Sequence, residues 1–590
     1  MMITKPTSRI EKSIFWLILS ALIFIFLQVV FLAITKNYGS EQVCQIGSRC
    51  RDLLGIFGGI NGFENSVAFV FSLASAVTSV IAIYSLLKNS LFPTKLSIFG
   101  LLTIILVFTG WVISGTELTN NRIIGNFLTI VALFSATIWL GLFVFREKKD
   151  SLPPRNNWRY VAWTISSLIV IVLGLIVSIT DAGRLCVGYP LCNDFNGLEP
   201  LGYVALIHRL FAALLFLITL IVLNHTWKYY RSSYLMLISV TAAFTMLIGQ
   251  IVVGAEQVIR NFPLELVSLH AISATGFLVA LVFALIASHY ETPTALPEQK
   301  TIFNDRGRLK DFYLLNKPII VLLLLVTTYA GMVVSLGKWP SFALTFWTML
   351  AGALAAGGSS ALNQYIDREI DLSMQRTAKR PLPSGRLMPS EALALGAAEI
   401  VISFFIYASF VNMLAAVLEM VGMIYYVFLY SLWLKHVTVQ NIVIGGGAGA
   451  IPPLVGWAAA TGSLNIPSFF LFALVFLWTP PHFWALALVR KNDYARAKVP
   501  MLPVVNGEKT TRVQIFIYTI QLVILTLIMP LFKLGGSVYL ISAIVLGLWL
   551  LHTAWRVLTV KGNKVAHKMY RYSSMYLAFI FLALTIDSLL

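Results

Sequence analysis

Charge is scarce in this chain. Its 590 residues hold only 25 Asp and Glu, and charged residues of all kinds make up 12%. A soluble domain carries about twice that fraction, so a soluble enzyme is excluded, and the spread of the +18 net charge argues against a nucleic-acid partner. Cysteine is limited to four residues and no histidine precedes position 208, so the early cysteines have no nearby imidazole with which to build a metal site. A signal-peptide cleavage pattern is also missing from the start, where Ile14 to Ile34 reads as a full-length span behind Lys5, Arg9 and Lys12. The span centres lack charged residues, which weighs against a transporter.

What is present is apolar sequence. Hydrophobic residues make up 58% and mean hydropathy is +0.83. The chain reads as an all-α polytopic membrane protein with about 17 transmembrane helices. Eight candidate spans precede residue 290, near 13–35, 66–87, 97–114, 123–145, 160–180, 203–223, 234–254 and 266–288. Nine follow, near 318–336, 342–362, 391–411, 413–433, 441–460, 467–488, 513–532, 536–554 and 573–590. With the amino terminus in the cytoplasm, 34 of the 43 Lys and Arg fall in cytoplasmic segments and nine outside. The positive-inside rule therefore fixes that orientation, and an odd number of spans puts the carboxyl terminus outside. Fourteen Trp and 22 Tyr suit aromatic belts at the two interfaces of a cell membrane.

All four cysteines fall in exterior loops, as Cys44-Gln-Ile-Gly-Ser-Arg-Cys50 and Cys186-Val-Gly-Tyr-Pro-Leu-Cys192. Each pair follows an odd-numbered span, which marks two four-span repeats, 1–150 and 151–289. Short loops on an oxidising face favour two disulfides, Cys44–Cys50 and Cys186–Cys192, over reactive or metal-binding thiols. His208 and His270 lie at similar depth on the second and fourth spans of the second repeat. Facing imidazoles at matched depth suit the axial positions of a haem iron; a satisfied core histidine is the plainer alternative. Residues 290–316 are polar, with Pro and Gly, and read as a cytoplasmic linker between a unit 1–289 and a unit 317–590.

In the second unit, an apolar segment runs directly into Asn363-Gln-Tyr-Ile-Asp367-Arg-Glu-Ile-Asp371. A spacing of four puts Asn363, Asp367 and Asp371 on one stripe of a continuing helix. Carboxylates so placed repel each other unless a cation sits between them, and Mg²⁺ shared with phosphate oxygens fits such a stripe. Arg376, Lys379 and Arg380 follow at once, ready for an anion. A second loop holds Lys435-His436 and leads into Ile-Gly-Gly-Gly-Ala-Gly-Ala-Ile-Pro-Pro453, whose small residues serve tight packing or leave room for a flat ligand. A third follows Trp478-Thr-Pro-Pro-His482-Phe-Trp484 and places Lys491 and Asp493 on the same membrane face, where a second Mg²⁺ would clamp a diphosphate.

On these residues the first unit resembles the haem A synthase family, which has two four-helix halves and cysteine pairs in exterior loops. Cys186, Cys192, His208-Arg209 and His270 stand where that family holds its haem b, and Glu64 stands at its functional glutamate. The first half departs from the pattern: Val67 and a position near Asn126 occupy the places of two histidines. The second unit, about 316–590, resembles protohaem IX farnesyltransferases of the UbiA-type superfamily. That resemblance rests on Asn363-x3-Asp367-x3-Asp371, Arg376-Thr-x2-Arg380-Pro, Asn441-Ile-Val-Ile-Gly-Gly, Pro452-Pro-Leu-Val-Gly-Trp457, the Trp478–Trp484 run and Asp493-Tyr494 to Pro500-Met-Leu-Pro503. It implies a nine-helix bundle that farnesylates haem B from farnesyl diphosphate, giving haem O, with a cytoplasmic site holding Asp367, Asp371 and Asp493 around Mg²⁺. The fusion then implies either oxidation of haem O to haem A by the first unit, or a non-catalytic haem-binding or delivery module there. Either suits supply of a haem-copper oxidase assembly pathway.

Overall fold

In the computed structural model, residues 9–37, 70–83, 100–107, 157–193, 198–291 and 306–590 are described, with residue 293 and isolated positions between 109 and 140. Every regular element among them is helical. Thirteen described helices are long and apolar enough to cross a membrane, four of them in residues 158–290 and nine in 318–587. Backbone groups in lipid must be satisfied within their own segment, which long apolar helices achieve. The chain divides into two compact units, Met1–Gln299 and Lys300–Leu590.

Unit 1 contains α1 (Arg9–Asn37), the shorter apolar helix α2 (Val70–Ile83), α3 (Trp158–Thr180), α4 (Pro200–Tyr229), α5 (Tyr234–Ile259) and α6 (Leu264–Tyr290). Proline opens α4, where its missing N–H costs nothing, and the Ser233 hydroxyl accepts from the Met236 amide to open α5. The core of the second repeat gathers Tyr160, Trp163, Leu215, Met236, Phe277 and Leu281. Its one buried indole is satisfied, donating from Trp163 to the Thr219 hydroxyl at 2.9 Å. Cys186 and Cys192 are joined as a disulfide. Cys44, Cys50, Glu64, Val67 and Asn126 lie outside the described residues.

Unit 2 begins with α7 (Arg306–Leu315), inside the stretch read as linker. Its polar face is used: Arg308 pairs with buried Glu391 at 2.5 Å, and Arg386 reaches back to Asp311 at 2.9 Å. Its last residue, Leu315, is buried against Ala361, Leu382 and Leu387. The spanning helices follow as α8 (Pro318–Leu336), α9 (Phe342–Leu372), α10 (Pro389–Ile406), α11 (Met413–Ile424), α12 (Asn441–Thr461) and α13 (Ile466–Val489). The short α14 (Lys491–Arg496) precedes α15 (Gly507–Ile528), α16 (Ser537–Thr559) and α17 (Asn563–Asp587). π-Helical turns extend α10 through Tyr407–Val411 and α11 through Tyr425–Leu434. The Trp478–Trp484 run lies inside α13 and braces α17: the Trp478 indole donates to the Ser573 carbonyl at 2.7 Å, and His482 Nδ1 bonds the Ser573 hydroxyl at 2.9 Å.

Candidate functional site

Helix α9 is 31 residues long because its amphipathic end continues past the apolar part. That end carries Asn363, Asp367 and Asp371, which are 4%, 2% and 4% exposed. Buried carboxylates are stable only when paired. Here the pairing comes from the protein itself, Lys435 from an element distant in sequence and Arg380 from the turns just after α9. Lys435, just past the π-helical turn of α11, donates to Asp367 Oδ2 at 2.6 Å, and Arg380 donates to Asp371 Oδ2 at 2.6 Å. The Asn363 amide donates to Asp367 Oδ2 and to the Ser431 hydroxyl, both at 3.0 Å, while its Oδ1 accepts from Lys317 at 2.9 Å. Lys435 and Arg380 thus neutralise part of the carboxylate stripe from within the protein.

Lys317, Arg380 and Lys435 bring three basic side chains to two carboxylates, a cluster that can receive an anion as well as a metal ion. Lys317 registers the crowding. Burial pushes its ammonium down to about 7, Arg380 and Lys435 push the same way, and Asp367 and Asp371 pull back. Its backbone is left-handed, with φ 45°, so the turn ahead of Pro318 aims the side chain at α9. One acceptor remains unspent: Asp367 Oδ1 is buried and has no hydrogen-bond partner. A π-helix bonds i to i+5, so Ser431 lies over Tyr426, donating to its carbonyl at 2.8 Å. Tyr426 and Tyr430 stack with ring centroids 5.9 Å apart, both within electrostatic reach of Asp367.

The remaining candidates lie further out. Arg376 and Lys379 are exposed on the turns after α9. Burial raises the Tyr494 phenol on α14, and Arg376 pulls it back, which sets Arg376 beside the Asp493 loop. The Asp493 carboxylate accepts from Arg496 on its own helix, and Lys491 pairs with Glu508 at 3.2 Å, so neither joins the Asp367 cluster directly. Lys317 and Ser431 carry no sequence signal: one is a lone basic residue directly before a spanning helix, the other sits in an apolar run. The glycine run of α12 serves tight packing at three of its positions and leaves a fourth open. Gly445, Gly446 and Gly447 are filled by Tyr430, Thr479 and Tyr425, whereas a Cβ at Gly449 would meet nothing within 4 Å. Among the described glycines it is the only one in the interior of a spanning helix that fronts open space.

Removing the Lys435 charge exposes the energetics of this cluster. Lys435→Met leaves Asp367 buried and uncompensated, a loss of about 3 kcal/mol or more. The expected result is a lower melting temperature in detergent that Lys435→Arg largely restores. Equal melting of the Met variant and the parent chain would show that the pair is solvated instead.

In unit 1, His208 on α4 and His270 on α6 are brought within electrostatic reach of each other. The backbone carbonyls of Val170 and Gln250 lie beside the two rings, and each imidazole keeps a buried Nδ1 with no hydrogen-bond partner. Arg209 fastens the disulfide loop above them, donating to the carbonyls of Gly188 at 2.7 Å and Cys186 at 2.8 Å.

Comparison with known proteins agrees with the division into two units. Residues 324–580 match the UbiA prenyltransferase family, and residues 66–282 match the cytochrome oxidase assembly protein family COX15-CtaA. The chain is 41% identical over 430 residues to a protoheme IX farnesyltransferase of Roseiflexus sp. (strain RS-1), covering 69% of this chain and 80% of that protein. It is 48% identical over 284 residues to one from Gloeobacter violaceus, covering 48% and 92%. The first alignment is longer than unit 2, so it takes in part of unit 1 as well. The chain belongs to the protoheme IX farnesyltransferase family of UbiA-type prenyltransferases, with a unit similar to haem A synthases ahead of the transferase.

Proposed function

We propose that unit 2 transfers the farnesyl group of farnesyl diphosphate to a vinyl group of protohaem IX, giving haem O, at the cytoplasmic face of a cell membrane. The observation that carries this reading is the buried Asn363–Asp367–Asp371 stripe gathered with Lys317, Arg380 and Lys435. As the allylic C–O bond breaks, its electron pair leaves with the diphosphate. Lys317, Lys435 and Arg380, with Arg376 and Lys379 at the rim, stabilise that growing charge. Tyr426 and Tyr430 supply ring faces near the resulting carbocation. The vinyl π electrons form the new C–C bond, and water adds to the haem-side cation with loss of a proton, leaving a hydroxyethylfarnesyl group. Asp367, through its unpartnered Oδ1, with Asp371 and Asn363 would hold Mg²⁺, and Asp493 would provide a second acidic contact by giving up Arg496. Mg²⁺ would supply Lewis-acid charge to the departing diphosphate.

In unit 1, His208 and His270 would hold haem b. Each keeps a buried ring nitrogen with no hydrogen-bond partner, an orphaned polar atom that an iron would satisfy. Oxidation of haem O to haem A by this unit, with Glu64 taking part, would complete a two-step sequence. Val67 and Asn126 in place of histidines favour a second reading, in which unit 1 binds or delivers haem without oxidising it. Pigment extraction from a host without its own haem O or haem A, expressing this chain, separates the two. Haem A supports the two-step enzyme, haem O alone supports the delivery module, and haem B alone overturns the transferase assignment.

A further inference from the structure

The two histidines of unit 1 are seated in the same way. His208 leans over α3 at Gly174, where an added Cβ would lie 2.9 Å from the imidazole Cε1. His270 leans over α5 at Gly254, where the corresponding distance is 3.1 Å. The carbonyls beside the rings, those of Val170 and Gln250, each lie one helical turn before the glycine, four residues back. A side chain at residue i of a helix covers the surface over the preceding turn, which is where that carbonyl lies. Glycine is therefore what lets an imidazole reach the backbone there. The arrangement occurs twice, on two different helix pairs, although the Gly–His separations in sequence differ.

We propose that Gly174 and Gly254 are positioning residues for a bis-histidine haem, each clearing the place from which a helix carbonyl orients the imidazole. This rests on the haem-ligand reading of His208 and His270. The first repeat gives independent support from sequence. Gly174 lies twelve residues before Cys186 and His208 sixteen after Cys192; the equivalent places around Cys44 and Cys50 hold Leu32 and Ser66, followed by Val67. There the glycine and the histidine are missing together, as expected if one serves the other. A glycine kept only for helix packing would have no reason to follow the histidine.

Haemin titration into the purified full-length chain, read by optical and low-temperature paramagnetic resonance spectra, tests the assignment. Gly174→Ala is expected to weaken haemin binding about 10- to 100-fold and convert part of the low-spin signal to high-spin. Gly254→Ala should act in the same direction but less, because its contact is looser. Gly276→Ala, facing the flexible Met246 side chain at 3.3 Å, should match the parent chain. Should Gly174→Ala fail to fold, judged by an aggregated size-exclusion profile and loss of a cooperative melting transition, Gly254→Ala carries the comparison alone. Parental affinity and spectra in both variants, with His208→Ala and His270→Ala losing the low-spin signal, would overturn the glycine role while leaving the haem site standing. A low-spin signal that survives both histidine variants would overturn the haem reading and the glycine role together.

Discussion

Asp367→Asn is expected to abolish haem O formation, a loss of roughly 10³-fold in turnover or more. The substitution is nearly isosteric, so it tests charge rather than shape. Asp367 Oδ2 accepts from Lys435 and Asn363, while Oδ1 accepts from nothing, so an amide changes two things at once. It removes the negative charge that balances Lys435, and it halves the oxygens available to a hard cation. The variant leaves the largely buried Lys435 uncompensated, so it should melt lower than the parent chain while remaining folded, as Lys435→Met does from the other side of the pair. A lowered but cooperative melting transition with haem O absent from extracted pigments is the expected pattern, and Lys435→Met, with similar stability loss, is the control for it. Unimpaired haem O production by the variant would remove Asp367 from the site. Asp371→Asn is expected to be milder: both carboxylates face cations, but the unpartnered buried oxygen belongs to Asp367.

This site was legible in the sequence to the extent that it lies on one helix. A repeat of four fixes Asn363, Asp367 and Asp371 on a common face whatever surrounds them. The side chains that neutralise the stripe come from elsewhere: Lys317 from the turn before α8 and Lys435 from the end of α11, 46 and 68 residues from their partners. No local spacing connects residues so far apart, so the sequence showed the stripe and Arg380 just after it but not the two lysines that join them. Asp493 illustrates the converse. Topology puts it on the expected membrane face, yet its own neighbour Arg496 lies within reach and takes the carboxylate. Likewise His208 and His270 stand out because histidine is scarce and their depths match, whereas Gly174 and Gly254 are four-atom silences among other small residues.

The nine-helix count was equally accessible, since each span of unit 2 is a long apolar run, but how closely the helices approach was not. Gly456→Ala is expected to be the most damaging single-methyl change in unit 2. Its Cβ would lie 1.9 Å from the Thr328 carbonyl oxygen on α8, and Gly331 on α8 meets the Pro453 carbonyl in the reverse sense at 2.5 Å. The obstruction in both cases is backbone, which cannot rotate away as a side chain can, so α8 and α12 must separate along their length. Overpacking of this kind costs about 3 kcal/mol or more, and in lipid there is no hydrophobic gain between helices to offset lost contact. Because α8 also carries the turn that aims Lys317 at Asn363, separation should disperse the anion site as well as lower stability. Gly449→Ala on the same helix makes the matched control, adding the same methyl to open space with the same change in helix propensity. Size-exclusion profiles and melting curves of the two variants should therefore diverge, with Gly456→Ala accumulating poorly and Gly449→Ala resembling the parent chain. Similar behaviour of both would mean that α8 and α12 are held apart in the membrane, and that Lys317 reaches α9 by some route other than this close crossing.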